Sequence, residues 1–311
     1  MPEIDVYDGK ITDYYDAGNR NLLARWNPCR DWLDARLDAG LEPYSKVTTG
    51  RISTSLRGTD RRGRPIGGLN FASQDYLSLA SDPRVIAAAQ AAAGQYGVHS
   101  AGSAALMGLC APTIRLEAEI ARFVGLADAT VFPTGWGAGY GAIRTLARAG
   151  DHIVIDVLAH ACLQEAAAAS GATVHRFPHA STEGVARRLT RLRADHPAAG
   201  ILVVTEGIFS MDSDSPDTRA LQDLCRAHDA TLFLDVAHDL GAISPGGRGV
   251  QELQHMIGAV DVVMGSFSKT FASNGGFVAT NSRSLKLALR YGAGPLTFTN
   301  SLSPVQASTI L

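Results

Sequence analysis

The chain has 311 residues, 46% of them hydrophobic and 19% charged, and its 28 Lys+Arg against 30 Asp+Glu give a formal charge of −2. At roughly 150 residues per domain this predicts two domains, or one large α/β domain with appendages. The near-neutral balance argues against a nucleic-acid protein, and the apolar content against a disordered or collagen-like chain. Cys29, Cys110, Cys162 and Cys225 are widely spaced without a C-x-x-C pair, which suggests neither a zinc site nor a disulfide framework but reduced thiols in the cytoplasm. The acidic N-terminus lacks the features of a secretory signal, and no run of about 18 apolar residues predicts a transmembrane segment. A soluble, cytoplasmic protein is expected.

Residues 1–69 are predicted to form an N-terminal arm or extension. Tyr14, Tyr15, Trp26 and Trp32 alternate there with charges, and Leu22 to Leu41 has helical spacing that stops at Gly40. The polar, Gly-rich segment Arg57 to Gly68 reads as a turn or hairpin connection. From Asn70 the rhythm changes. Short apolar runs suited to buried strands occur at Thr130–Phe132, His152–Asp156, Thr173–Phe177, Ile201–Thr205, Thr231–Asp235, Val260–Met264 and Gly276–Ala279. Helical patterns lie between most of them, at Ala138–Ala149, Leu163–Ser170, Val185–Asp195 and Thr218–His228. This alternation predicts an α/β fold with a mostly parallel sheet covered on both faces.

Ligands of such sheets sit beyond the carboxyl ends of the strands. There the chain carries Pro133-Thr134-Gly135-Trp136 at a helix start, His160, Glu206 with Ser210 and Asp212, Asp235 with His238, and Ser266-Phe-Ser268-Lys269. Each piece alone has an ordinary structural explanation: a lone lysine is usually solvated, a lone aspartate can cap a helix, and a histidine can be a satisfied core residue. Together they match the needs of pyridoxal 5'-phosphate (PLP). That cofactor needs a lysine amine for its aldehyde and a carboxylate facing its protonated pyridine nitrogen. Its phosphate suits helix N-terminal amides and hydroxyls, and its ring suits an imidazole or aromatic plane. Lys269, Asp235, Gly135-Trp136 with Ser266 and Ser268, and His160 would fill these places.

From about Asn70 onward the chain resembles the α-oxoamine synthases of the fold-type-I PLP enzymes. The likeness rests on ordered blocks: Asn70-Phe-Ala-Ser-Gln-Asp-Tyr76-Leu-Ser-Leu, Gly102-Ser103, Leu116-Glu117, Thr134-Gly135-Trp136 and Ala159-His160-Ala161. It continues with Glu206-Gly-Ile-Phe-Ser210-Met-Asp212, Asp235-Val-Ala-His238, Gly265-Ser-Phe-Ser-Lys269 and Gly275-Gly276. The resemblance implies an aspartate aminotransferase-like large domain, residues 70–295, with 296–311 opening a small C-terminal domain that is largely missing. It implies that Lys269 holds the cofactor and later moves the Cα proton, and that Asp235 pairs with the pyridinium. His238 and Ser210 would contact the ring hydroxyl, and His160 would stack on the ring. Gly135, Trp136, Ser266 and Ser268 would hold the phosphate, with Thr299 or Asn300 supplied by a partner subunit. A homodimer is therefore expected, with no metal.

The activity implied is a decarboxylating condensation of a small amino acid (serine, glycine or alanine) with an acyl thioester on coenzyme A or an acyl carrier protein, in the manner of serine palmitoyltransferase. An aminotransferase or lyase on the same fold, or a non-catalytic partner subunit, are the alternatives. The chain departs from the family's usual pattern at Ala104, where an arginine is frequent, and at Val236, where an acid is usual. A frequent histidine before Leu116-Glu117 is also missing. These changes bear on the substrate more than on the cofactor.

Overall fold

The segment Arg57 to Gly68 is a hairpin in the computed structural model, which describes residues 4–42 and 44–311. Strands β2 (Ser55–Thr59) and β3 (Pro65–Leu69) run antiparallel around a turn in which Gly63 takes φ +79°, and β1 (Val47–Thr48) adds to the β2 edge. Pro65 opens β3, where a missing N–H costs the ladder least. The helical pattern of Leu22–Leu41 is realised as α1 (Asn27–Asp38), preceded by a 3-10 turn at Ala24–Trp26. Tyr14 stacks on Trp32 with ring centroids 4.9 Å apart, and with Cys29 they form a small core. These elements make up one compact unit, ending at Asn70; a second extends from Phe71 to Leu311.

The second unit begins with α2 (Pro83–Tyr96), α3 (Ala111–Val124), β4 (Asp128–Phe132), α4 (Gly135–Leu146), β5 (His152–Asp156), α5 (Ala161–Ser170) and β6 (Thr173–Phe177). It continues with α6 (Thr182–Asp195), β7 (Ile201–Glu206), α7 (Thr218–Ala227), β8 (Thr231–Asp235), α8 (Val250–Leu253) and β9 (Val262–Ser266). Strand β10 (Gly276–Thr280) and helices α9 (Arg283–Gly292), α10 (Gly294–Thr297) and α11 (Pro304–Ile310) complete it. All the apolar runs predicted as strands enter one seven-stranded sheet, in the order β4-β10-β9-β8-β7-β5-β6. Its pairs are parallel from β9 to β6, while β10 runs antiparallel to both β9 and β4.

The sheet is apolar on both faces because each face is roofed by helices. Side chains alternate across it with period 2. Leu232 and Leu234 of β8, Val203 of β7 and Val154 of β5 pack with residues of α3, α6 and α7. Phe233 of β8, Leu202 and Val204 of β7, and Ile153 and Ile155 of β5 pack on the opposite side with α4 and α5. The fold is thus three layers, helix on sheet on helix. Strands β4, β5, β7, β8 and β9 share one direction, so Phe132, Asp156, Glu206, Asp235 and Ser266 end on the same rim. Among the described residues no helix is long and apolar enough to cross a membrane.

Candidate active site

The rim closes around a cavity of about 250 Å³. Gly135, Trp136, His160, Ser210, Asp235, His238, Ser266, Ser268 and Lys269 all line it, with Gln74, Cys162, Glu206, Ala237 and Met264 completing the wall. Sequence positions from Gln74 to Lys269 are therefore brought to one place. Thr299 is exposed and does not line this cavity; its hydroxyl donates to the Pro295 carbonyl.

One end of the cavity is the start of α4. Thr134 caps the helix by accepting from the Gly137 amide at 2.9 Å, which leaves the amides of Gly135 and Trp136 outside the helix's own bonding. Ser266 and Ser268 place hydroxyls beside this end, 2.7 Å from each other. The approach is close enough to require glycine. A Cβ on Gly135 would lie 2.5 Å from the Ser266 Oγ, and one on Gly276 would lie 2.6 Å from the Gly135 Cα. Partial positive charge at the helix start and two hydroxyls form an anion cradle.

The floor carries the charges. Asp235 ends β8, is buried, and accepts from the Ala237 amide at 2.9 Å. Glu206 ends β7 opposite it in register and accepts from the His160 amide at 2.6 Å. Burial pushes the Glu206 carboxyl up to about 8, reinforced by the neighbouring Asp235. Burial raises Asp235 as well, while Lys269 pulls it back. The Lys269 ammonium is half-buried, and desolvation lowers its pKa against the pull of Asp235 and Glu206. A lysine so placed yields its proton more readily than one in water.

The walls are aromatic. His160 caps the start of α5, with Nδ1 3.2 Å from the Cys162 amide, and its ring meets Trp136 edge-on at 5.8 Å. His238 follows Asp235 by one turn, with Nδ1 2.8 Å from the Tyr76 hydroxyl. Burial, with Lys269 nearby, lowers the His238 pKa to about 4, so the ring is neutral near pH 7. Val236, at a position usually acidic in the resembled family, is fully buried in the core and outside the cavity wall.

Gln74, Cys162, Glu206, Ala237 and Met264 of the wall, and Tyr76 bonded to His238, carry no role in the sequence reading; Glu206 sits at the end of an apolar run like Asp235, and Tyr76 has as its sequence signal its place in the Asn70–Leu79 block. Among the described residues no group of three or more His, Cys, Asp or Glu could hold a metal ion.

Residues 66–311 match the family described as aminotransferase class I and II. The chain is 37% identical over 284 residues to an 8-amino-7-oxononanoate synthase of Maricaulis maris, covering 88% of this chain and 71% of that protein. It is 33% identical over 297 residues to a serine palmitoyltransferase of Sphingomonas paucimobilis, covering 94% and 68%. Among solved structures, a PLP-bound serine palmitoyltransferase from S. paucimobilis superposes with a TM-score of 0.85 at 32% identity, covering 94% of this chain and 71% of that one. The Sphingomonas wittichii serine palmitoyltransferase does so with a TM-score of 0.85 at 33% identity, covering 93% and 71%. With its fold, its family match and these relatives in agreement, the chain belongs to the aminotransferase class I and II family, among the α-oxoamine synthases.

Proposed function

We propose that this protein condenses a small amino acid with an acyl thioester, releasing carbon dioxide to give an α-aminoketone, with PLP as its cofactor. The observation that carries the reading is the convergence of Lys269, buried Asp235 and the α4 anion cradle on one cavity. The cavity's residues fit the cofactor. Asp235 is a buried carboxylate whose one hydrogen bond among the described residues comes from the Ala237 amide, so a ring N–H⁺ would answer its charge. The glycine pair at Gly135 and Gly276 leaves open the space that a Cβ would fill.

In this reading Lys269 would hold the cofactor's aldehyde carbon, and Asp235 its pyridine nitrogen. Ser210 and His238 would contact the ring hydroxyl and His160 would cover the ring face. Gly135, Trp136, Ser266 and Ser268 would hold the phosphate, joined by Thr299 of a second copy in a homodimer. When bound, PLP supplies the electron sink that stabilises negative charge at the amino acid's Cα. Lys269 Nζ, its pKa lowered by burial, takes and returns the proton at that carbon. Neutral His238, held by Tyr76, orients without adding a second cation beside Lys269. We place the reaction in the cytoplasm, in keeping with four free cysteines.

The test is a carboxyl-labelled amino acid panel (serine, glycine, alanine) given to the PLP-loaded protein with acyl-CoA or acyl-carrier-protein thioesters. Label should leave as carbon dioxide only when a thioester is present, with one thiol released per turnover. Keto-acid formation without a thioester would instead make the protein an aminotransferase.

A further inference from the structure

His179 lies outside the cavity, yet it joins two of the loops that wall it. Asp156 ends β5, is fully buried, and builds the segment leading to His160. Its Oδ1 accepts from the Leu158 amide at 2.9 Å, and its carbonyl accepts from the Ala159 amide at 3.1 Å and the Gln164 side-chain amide at 2.8 Å. Across the rim, the loop between β7 and α7 carries Ser210. It is folded on itself by bonds from the Phe209 amide to the Asp214 carbonyl and from the Ser213 amide to the Phe209 carbonyl, each 3.0 Å.

The imidazole of His179 spans the two. Nδ1 is 3.0 Å from Asp156 Oδ1 and Nε2 is 2.8 Å from Asp214 Oδ2. The Ala180 amide donates to Asp156 Oδ2 at 2.8 Å, which fixes the same segment a second time. The Phe209 ring stands edge-on to the imidazole at 4.4 Å. Carboxylate oxygens only accept, so two short contacts to two carboxylates require a proton on each ring nitrogen. Such charge-assisted bonds are the strong ones.

We propose that His179 is a positioning residue: an imidazolium, clamped between Asp156 and Asp214, that sets the His160 loop and the Ser210 loop at one separation and so ties cofactor affinity to its own protonation. The affinity part rests on the PLP reading above; the clamp does not. Among the described residues, the charged groups bonded to the ring are Asp156 from β5 and Asp214 from the loop after β7, and the Phe209 ring that stands edge-on to it is uncharged. Burial works against the charge, but the bonds to the two aspartates outweigh it and raise the His179 pKa above 6.5. A raised folded-state pKa means that the clamp is intact below 6.5 and is lost as pH rises through the raised value.

The experiment uses the full chain with ¹⁵N-labelled histidine. In the cofactor-free protein, His179 should carry both ring protons at pH 6.5 and titrate above it, and Asp214→Asn should move that titration down. Amide-exchange protection at residues 157–160 and 207–215 should fall together over the same pH range. PLP affinity, read by equilibrium dialysis, should weaken on the order of tenfold in His179→Gln, and in Asp214→Asn its loss with rising pH should begin at lower pH. A neutral His179 at pH 6.5, or loop protection that ignores both pH and Asp214→Asn, overturns the clamp. If the parent binds no PLP at all, the functional reading fails, while the titration and exchange still decide the clamp. If His179→Gln does not fold, the parent and Asp214→Asn suffice.

Discussion

Glu206 and Asp235 occupy paired register positions on β7 and β8, both buried, with Lys269 on the same cavity wall. Two carboxylates that close do not both ionise easily, and one proton is retained. Burial pushes the Glu206 carboxyl up to about 8 from an ordinary 4.5, with Asp235 raised beside it. The unfolded chain loses this proton above 4.5 and the folded one keeps it to about 8, so the group's contribution to stability falls as pH rises across that window. Glu206→Gln removes the titration and keeps an acceptor for the His160 amide. Thermal unfolding followed across the window should therefore show a flatter pH dependence in Glu206→Gln than in the parent; parallel curves would mean that Glu206 is ionised throughout.

At the scale of elements, the start of α4 is the most constrained part of the site. A methyl at Gly135 would lie 2.5 Å from Ser266 Oγ and 2.7 Å from Ser266 Cβ, on the last residue of β9. Gly135→Ala should displace the Ser266 hydroxyl, cost about 1–3 kcal/mol of stability by overpacking, and weaken PLP binding far more than it weakens the fold. Calorimetry alongside equilibrium dialysis separates the two. This helix start is legible in the sequence, because Thr134-Gly135 follows an apolar run, and so are the strands of the seven-stranded sheet, because short β-branched runs between helices have few other solutions. Helices α2, α3, α8, α9, α10 and α11 are absent from the sequence reading. Their signals exist, since Asp82 caps α2 through the Arg84 amide and Pro83 opens it, but the strand rhythm outweighs them. The cavity residues can be grouped because strand ends converge. Glu206 cannot be assigned from sequence, because its role depends on a partner, the His160 amide, 46 positions away.

Across the whole molecule, long-range pairs tie the sheet's edge to the later helices. Arg290 of α9 bonds both Glu117 oxygens of α3 at 2.7 Å, and the Glu117 Oε1 also accepts from the Val131 amide of β4 at 3.1 Å. Both side chains are nearly buried, at 12% and 5% exposure. Burial pushes the Glu117 carboxyl up even with Arg290 beside it, so the pair itself adds little net stability. Removing one member is different, because it leaves the other charge buried alone. Arg290→Ala should cost about 3–5 kcal/mol, whereas Arg187→Ala, which breaks the exposed pair with Glu183, should cost under about 1 kcal/mol; chemical denaturation of both variants tests the contrast. The covalent anchor belongs to this scale too, since the chain holds four lysines: Lys10, Lys46, Lys269 and Lys286. Lys286 pairs with Asp128 at 2.7 Å, and of the four only Lys269 lines the cavity. The most direct measurement is borohydride reduction of the PLP-loaded protein followed by peptide mass mapping. A single cofactor adduct on Lys269, absent from Lys269→Ala, is the predicted result; no adduct, or one on another lysine, would contradict the account.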